Sequence, residues 1–187
     1  MNYRLKKVAV LGSGVMGSGI ACHLANVGME VLMLDIVTPN LSDSDSKDST
    51  FRNKLVNTAL QKTIKSKPAP LYHSSFASRI QTGNFEDDFE KITESDWIIE
   101  VVVENLKIKK QIFEKVDQFR KKGSLVSSNT SSIPIHLLAE GRSDDFKSCF
   151  SGTHFFNPAR YLRLLEVIPI SETKKEVVDF IMEFGKV

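Results

Sequence analysis

At 187 residues, 41% apolar and 26% charged, the chain is long enough to bury a core and reads as one domain of ordinary globular composition. No apolar run reaches about 18 residues, so no transmembrane helix is expected. The net charge of +2 selects no class of partner, neither nucleic acid nor membrane insertion is expected, and the lone Cys22 and Cys149 exclude a disulfide framework or a CxxC zinc site.

At the N-terminus basic residues precede an apolar run, as in a signal peptide, but the run breaks at Gly12, and a reducing cytoplasmic location is expected. The segment KKVAVLG has the pattern of a buried parallel strand. A helix follows through residues 19–25 and should end near Gly28, and EVLMLD gives a second strand. Together these make a βαβ unit about thirty residues long.

Residues 40–50 are rich in Ser and Asp and read as loop. Over residues 50–66, Phe51, Leu55, Ala59, Leu60 and Ile64 recur at helical spacing until Pro68 and Pro70 stop the pattern. From Phe51 to Phe85 there is no acid, against Arg52, Lys54, Lys62, Lys65, Lys67 and Arg79. That block is either a solvated helix face with its loops or a local positive surface for an anionic ligand.

Patterning then weakens until DWIIEVVVE, read as a strand. Asn105 or Leu106 should open a helix with Ile112, Phe113, Val116 and Phe119 on its apolar face, closed by Lys121, Lys122 and Gly123. SLVSS, FSGTHFF and LLEVIP are further strand candidates, with a short helix near residues 134–140 that Ser131 or Ser132 would cap. The final segment, SETKKEVVDFIMEFGKV, starts as a capped helix and looks cut, as if more protein followed.

Two features carry chemistry. Gly12, Ser13, Gly14, Val15, Met16 and Gly17 form GxGxxG between a strand and a helix, a phosphate-binding turn when found in that setting. Asp35 closes the second strand 18 residues past Gly17, where a carboxylate takes the adenosine ribose hydroxyls and repels a 2′-phosphate, so NAD is favoured over NADP. The second feature is THFFNPARYLRLLEV, in which His154 and Glu166 sit in apolar surroundings; a buried carboxylate needs a partner, and a histidine on the neighbouring strand supplies one. Glu104, Ser131 and His154 should gather where strand ends meet the ligand crevice.

The motifs VLGSGVMGSGIA, VVVENLKIKKQIFEKVDQF, SSNTSSI and GTHFFNPARYLRLLEVI, in this order, resemble the NAD-binding domain of the 3-hydroxyacyl-CoA dehydrogenases of fatty-acid β-oxidation. The Ser/Asp-rich insert and TGNFEDDFEKITESDWIIEVVVEN most resemble the long bacterial members, in which an enoyl-CoA hydratase-like region follows. The resemblance implies a Rossmann-type doubly wound sheet with a helical hairpin inserted after the second strand, and oxidation of L-3-hydroxyacyl-CoA by NAD.

Carried onto this chain, it implies His154 as general base, Glu166 as its orienting carboxylate and Ser131 as hydrogen-bond partner of the reacting oxygen. It places Glu104, Lys109, Ser131 and Asn157 along the nicotinamide half of NAD, and Gly12, Gly14, Gly17 and Asp35 at the other half. The acid-free block would face coenzyme A, with Lys54 and Lys62 as contacts. Family members add an all-helical domain that supplies an active-site asparagine and the dimer interface; residues 1–187 would be the NAD-binding domain of such a chain, able to bind NAD but weakly active alone. A non-catalytic dinucleotide-binding module, or a dehydrogenase of another small hydroxy acid, is the alternative.

Overall fold

The computed structural model describes residues 5–186. Its strands are β1 (Lys7–Leu11), β2 (Glu30–Asp35), β3 (Ile80–Asn84), β4 (Trp97–Glu100), β5 (Leu125–Ser128), β6 (Phe150–Phe155) and β7 (Leu165–Pro169). They form one seven-stranded sheet in the order β3-β2-β1-β4-β5-β6-β7. Every neighbouring pair is parallel except β6 with β7, which is antiparallel. The chain order reverses between β1 and β4, which opens a crevice beyond the carboxyl ends of those strands, the general ligand position of open α/β sheets.

The central strands β1 and β4 are apolar apart from Lys7 and Glu100 at their ends, because both faces are covered. In β1, Val8 and Val10 join one buried cluster with Ile20 and Leu24, while Ala9 and Leu11 join the opposite cluster with Phe113 and Val116. The first cluster lies under α1 (Val15–Asn26), α3 (Lys54–Ile64) and α7 (Lys175–Phe184), and the second under α4 (Leu106–Phe119), α5 (Ile135–Ala139) and α6 (Asp144–Ser148). Trp97, fully buried in β4, keeps its indole N–H satisfied by donating to Ser127 Oγ at 3.0 Å, and Thr153 Oγ1 donates to the same oxygen at 2.7 Å.

Several sequence expectations change. The helix expected over 50–66 breaks at Asn53 into α2 (Ser49–Arg52) and α3. Thr38 causes the break: its Oγ1 donates to the Arg52 carbonyl at 3.0 Å and accepts the Leu55 N–H at 2.9 Å, diverting two groups that a continuous helix would use. Strand β3 was hidden in its own composition, Ile-Gln-Thr-Gly-Asn, although Asn84 is buried and hydrogen-bonded to Asn53 and Asp87. The strand within DWIIEVVVE stops at Glu100; Val101 still donates its N–H to the Leu11 carbonyl at 2.8 Å, and Val102 and Val103 lead on to α4.

Helix α6 also went unread, since five residues carry too little periodicity; Ser143 caps it through the Phe146 N–H. Helix α4 ends at Phe119, before the expected Lys-Lys-Gly: the Arg120 backbone turns extended, and its guanidinium bonds the Ser124 carbonyl and Asp145. Neither Ser131 nor Ser132 caps α5, and α7 starts at Lys175 without a side-chain cap. Among the described residues, no helix is long and apolar enough to cross a membrane.

Candidate active site

The glycine loop sits between β1 and α1, where each glycine has a different spatial reason. Gly12 has φ +114°, and a Cβ there would lie 2.6 Å from the Val101 carbonyl oxygen. At Gly17 a Cβ would fall 1.9 Å from the Gly12 oxygen, so the loop and α1 touch through backbone alone. Gly14 is the opposite case: a Cβ would meet nothing within 4 Å. Open space there, before an α1 N-terminus that no side chain caps, leaves room and free N–H groups of the kind a pyrophosphate needs, so the residues present fit a dinucleotide.

Asp35 reaches back to this loop from the end of β2. Its Oδ2 accepts the Ser13 N–H at 2.6 Å and the Ser13 hydroxyl at 2.5 Å, and its Oδ1 accepts the Ile36 N–H at 2.7 Å. The carboxylate therefore ties the loop to the strand that follows. The residues that follow it, Ile36-Val37-Thr38, include no arginine.

Across the crevice, β4 and α4 carry a line of charges. Glu100 is fully buried; its Oε1 accepts Lys109 Nζ at 2.7 Å and the Val102 N–H at 2.7 Å, and its Oε2 accepts the Ser128 hydroxyl at 2.5 Å. Burial pushes the Glu100 carboxyl up, and Lys109, Ser128 and the Val102 N–H oppose it. Three donors converging on two oxygens is the geometry of the ionised form. Lys109, itself 1% exposed, also faces Glu104 Oε2 at 3.2 Å.

Glu104 in turn braces the turn that bears Ser131. Its Oε1 accepts from the Thr130 hydroxyl, the Ser132 hydroxyl at 2.9 Å and the Ser132 N–H at 3.2 Å. Burial alone would raise Glu104, but these hydrogen bonds and the Lys109 ammonium outweigh it and hold the carboxyl down to about 2. This brace takes up Ser132, one of the two serines expected to cap α5.

His154 and Glu166 are directly paired residues of β6 and β7, with Nδ1 2.7 Å from Oε2. Contact was expected, but burial of the acid was not found. Glu166 is 50% exposed against 19% for His154, because β7 is the edge of the sheet and its face beside β6 is left open. The imidazole packs against Phe156 with ring centroids 4.5 Å apart.

A pocket of about 380 Å³ gathers Met16 of the glycine loop with Glu104, Lys109, Asn129, Ser131, His154 and Asn157. The acid-free block divides. Lys62 and Lys67 line a neighbouring cleft of about 370 Å³ with Val15, Met16, Asn157 and Arg160, whereas Lys54 lies exposed outside it. Arg52 is taken up by Glu86 and Asp87, and Arg79 by the Ala25 carbonyl, so the block is only partly a free positive surface. Glu100 was missed at the sequence level, although an acid inside WIIEVVV carries the same signal that singled out Glu166.

A doubly wound sheet with a glycine-rich first turn and an acid closing β2 defines a dinucleotide-binding domain. Residues 7–187 match the family model described as 3-hydroxyacyl-CoA dehydrogenase, NAD binding domain. The chain belongs to this oxidoreductase family, and its cofactor is NAD. It is 57% identical over 192 residues to a probable 3-hydroxyacyl-CoA dehydrogenase of Bacillus subtilis, covering 100% of this chain and 24% of the relative. It is 44% identical over 184 residues to a putative fatty acid oxidation complex trifunctional enzyme of Rickettsia felis, covering 98% of this chain and 24% of the relative. The structure of (S)-3-hydroxybutyryl-CoA dehydrogenase from Ralstonia eutropha superposes with TM-score 0.74 at 29% identity, over 98% of this chain and 60% of that one. The chain thus spans about a quarter of the two curated relatives.

Proposed function

We propose that this chain is the cofactor-binding and proton-handling part of an enzyme that oxidises L-3-hydroxyacyl-CoA to 3-oxoacyl-CoA in the cytoplasm. The observation that carries the reading is the His154–Glu166 pair, set at the mouth of a pocket that also holds Ser131 and the glycine-loop helix. A module that only held a nucleotide would have no use for a histidine oriented in this way.

Glu166 accepts the Nδ1 proton of His154, which fixes the tautomer and leaves Nε2 free to take the hydroxyl proton of a secondary alcohol. When bound, NAD supplies the acceptor for the hydride that leaves the same carbon. The balance is one hydroxyl proton to His154, one hydride to the cofactor and a ketone released. Ser131, on the turn that Glu104 braces, donates to the substrate oxygen and holds it beside the base. Gly12, Ser13, Gly14, Val15, Met16, Gly17 and Asp35 receive the adenosine and pyrophosphate half of the cofactor; Glu104, Lys109 and Asn157 lie along the nicotinamide half.

The coenzyme A part of the substrate meets the cleft that Lys62 lines, and its exposed rim suits an anionic, nucleotide-like group. Lys54, outside that cleft, contributes at most long-range attraction. The relatives' additional length supports the expectation that residues beyond this domain complete the substrate pocket and the dimer, and that the isolated chain turns over weakly.

The test is acetoacetyl-CoA-dependent oxidation of NADH, followed by loss of nicotinamide fluorescence, in this chain and in one extended to its relatives' length. The extended chain should be active, this one far less so, and free acetoacetate should be a poor substrate for both. Equal rates with free acetoacetate would replace the thioester reading by one of a small keto acid.

A further inference from the structure

The line Glu100, Lys109, Glu104 contains two carboxylates and one ammonium, and its charges are unevenly sited. Glu100 and Lys109 are 0% and 1% exposed and bonded at 2.7 Å, so they cancel inside the protein. Glu104 is 39% exposed and lies at the pocket end of the line. Among the described residues lining that pocket, Glu104 and Lys109 are the only Asp, Glu, Lys or Arg side chains. Of the residues lining the pocket, Glu104 therefore carries the one negative charge that no cation of that lining balances, and Thr130 and Ser132 hold it there rather than leaving it free to swing away; Glu166 lies behind His154, outside the lining.

We infer that Glu104 sets the redox preference of the cofactor site, favouring the oxidised dinucleotide over the reduced one through the single negative charge the buried Glu100–Lys109 pair leaves unbalanced. The inference rests on the reading that the nicotinamide half occupies this pocket. When bound, the dinucleotide brings a ring that is cationic if oxidised and neutral if reduced. Glu104 attracts the first and gains nothing from the second, so its contribution disappears on hydride transfer and release of the reduced form is eased.

Attraction of this kind differs from bracing. Loss of the brace alone would loosen the Ser131 turn and weaken both forms alike. Loss of the charge weakens one form selectively, and that difference is what distinguishes the two roles.

The experiment is nucleotide binding to this chain: NADH by direct fluorescence titration, NAD by competition, at low ionic strength, for the wild type, Glu104→Gln and Glu104→Asp. The Gln variant should lose about tenfold more affinity for NAD than for NADH, the order expected of one unit charge at contact range in a partly solvated site. The Asp variant should keep most of the wild-type ratio. Equal weakening of both forms in the Gln variant overturns the inference while leaving the cofactor reading intact; binding of neither form by the wild type overturns both. Should the Gln variant not fold, raising ionic strength from about 0.01 to about 1 M on the wild type should shrink the NAD:NADH affinity ratio, because the partly exposed charge is screened. A ratio indifferent to salt also overturns it.

Discussion

His154 and Glu166 face each other across the single antiparallel pair of the sheet, the imidazole Nδ1 2.7 Å from the carboxylate. Antiparallel pairing is what makes the contact direct: opposite residues on one face bring their Cβ atoms to about 5 Å. In a chain extended to its relatives' length, His154→Gln should lower kcat by about a hundred- to ten-thousand-fold while leaving NADH affinity unchanged. Glu166→Gln should lower kcat less, and its thermal midpoint should move little, since a half-exposed pair contributes about 1 kcal/mol or less. A Glu166→Gln variant with unaltered kcat would show that the pair is only structural.

Two glycines of one loop should fail in different ways. Gly17→Ala places a Cβ 1.9 Å from the Gly12 oxygen and must prise α1 from the loop, costing about 2 kcal/mol or more. Gly14→Ala has open space around it and should fold like the wild type, yet lose about tenfold or more in NADH affinity by filling the phosphate cradle. Thermal unfolding and fluorescence titration of both variants separate the two effects.

Asp35 should govern the choice of dinucleotide. Asp35→Asn keeps an acceptor for the Ser13 N–H but removes the negative charge that opposes a 2′-phosphate. Affinity for NADPH relative to NADH should rise about tenfold, read from the ratio of dissociation constants. An unchanged ratio would mean that the ribose hydroxyls are held elsewhere.

Glu104 should make the fold acid-sensitive. Its folded value of about 2 lies below the ordinary 4.5, so the folded chain releases that proton more readily than the unfolded chain does. The resulting stability is present above about pH 4.5 and is lost as pH falls toward 2. Because the side chain is 39% exposed, solvent trims its worth to about 1 kcal/mol. Urea unfolding at pH 6 and pH 3 should show Glu104→Gln less stable than the wild type at the higher pH and closer to it at the lower.

Much of the site was legible because its signals are local. GxGxxG between strand and helix, an acid at the end of the second strand, and an acid-bearing apolar stretch after the histidine each lie within a few residues of chain, where spacing alone carries meaning. Strand β3 and helix α6 were not legible for the converse reason: one is polar and held by Asn84 contacts from distant loops, the other too short for periodicity.

By itself the sequence carried the alternation of strands and helices, the GxGxxG turn with Asp35 at the end of the second strand, and the expected contact of His154 with Glu166, since periodicity and motif spacing act along the chain; the doubly wound sheet was what the family resemblance implied. Only the tertiary structure decided which acid is buried. Both Glu100 and Glu166 stand in apolar runs, yet Glu100 lies at the centre of the sheet with Lys109 against it and Glu166 lies on an edge strand open to water. Solvent access belongs to a residue's place in the sheet, and that place is set by which strands lie on either side, a relation that neighbours in sequence do not encode.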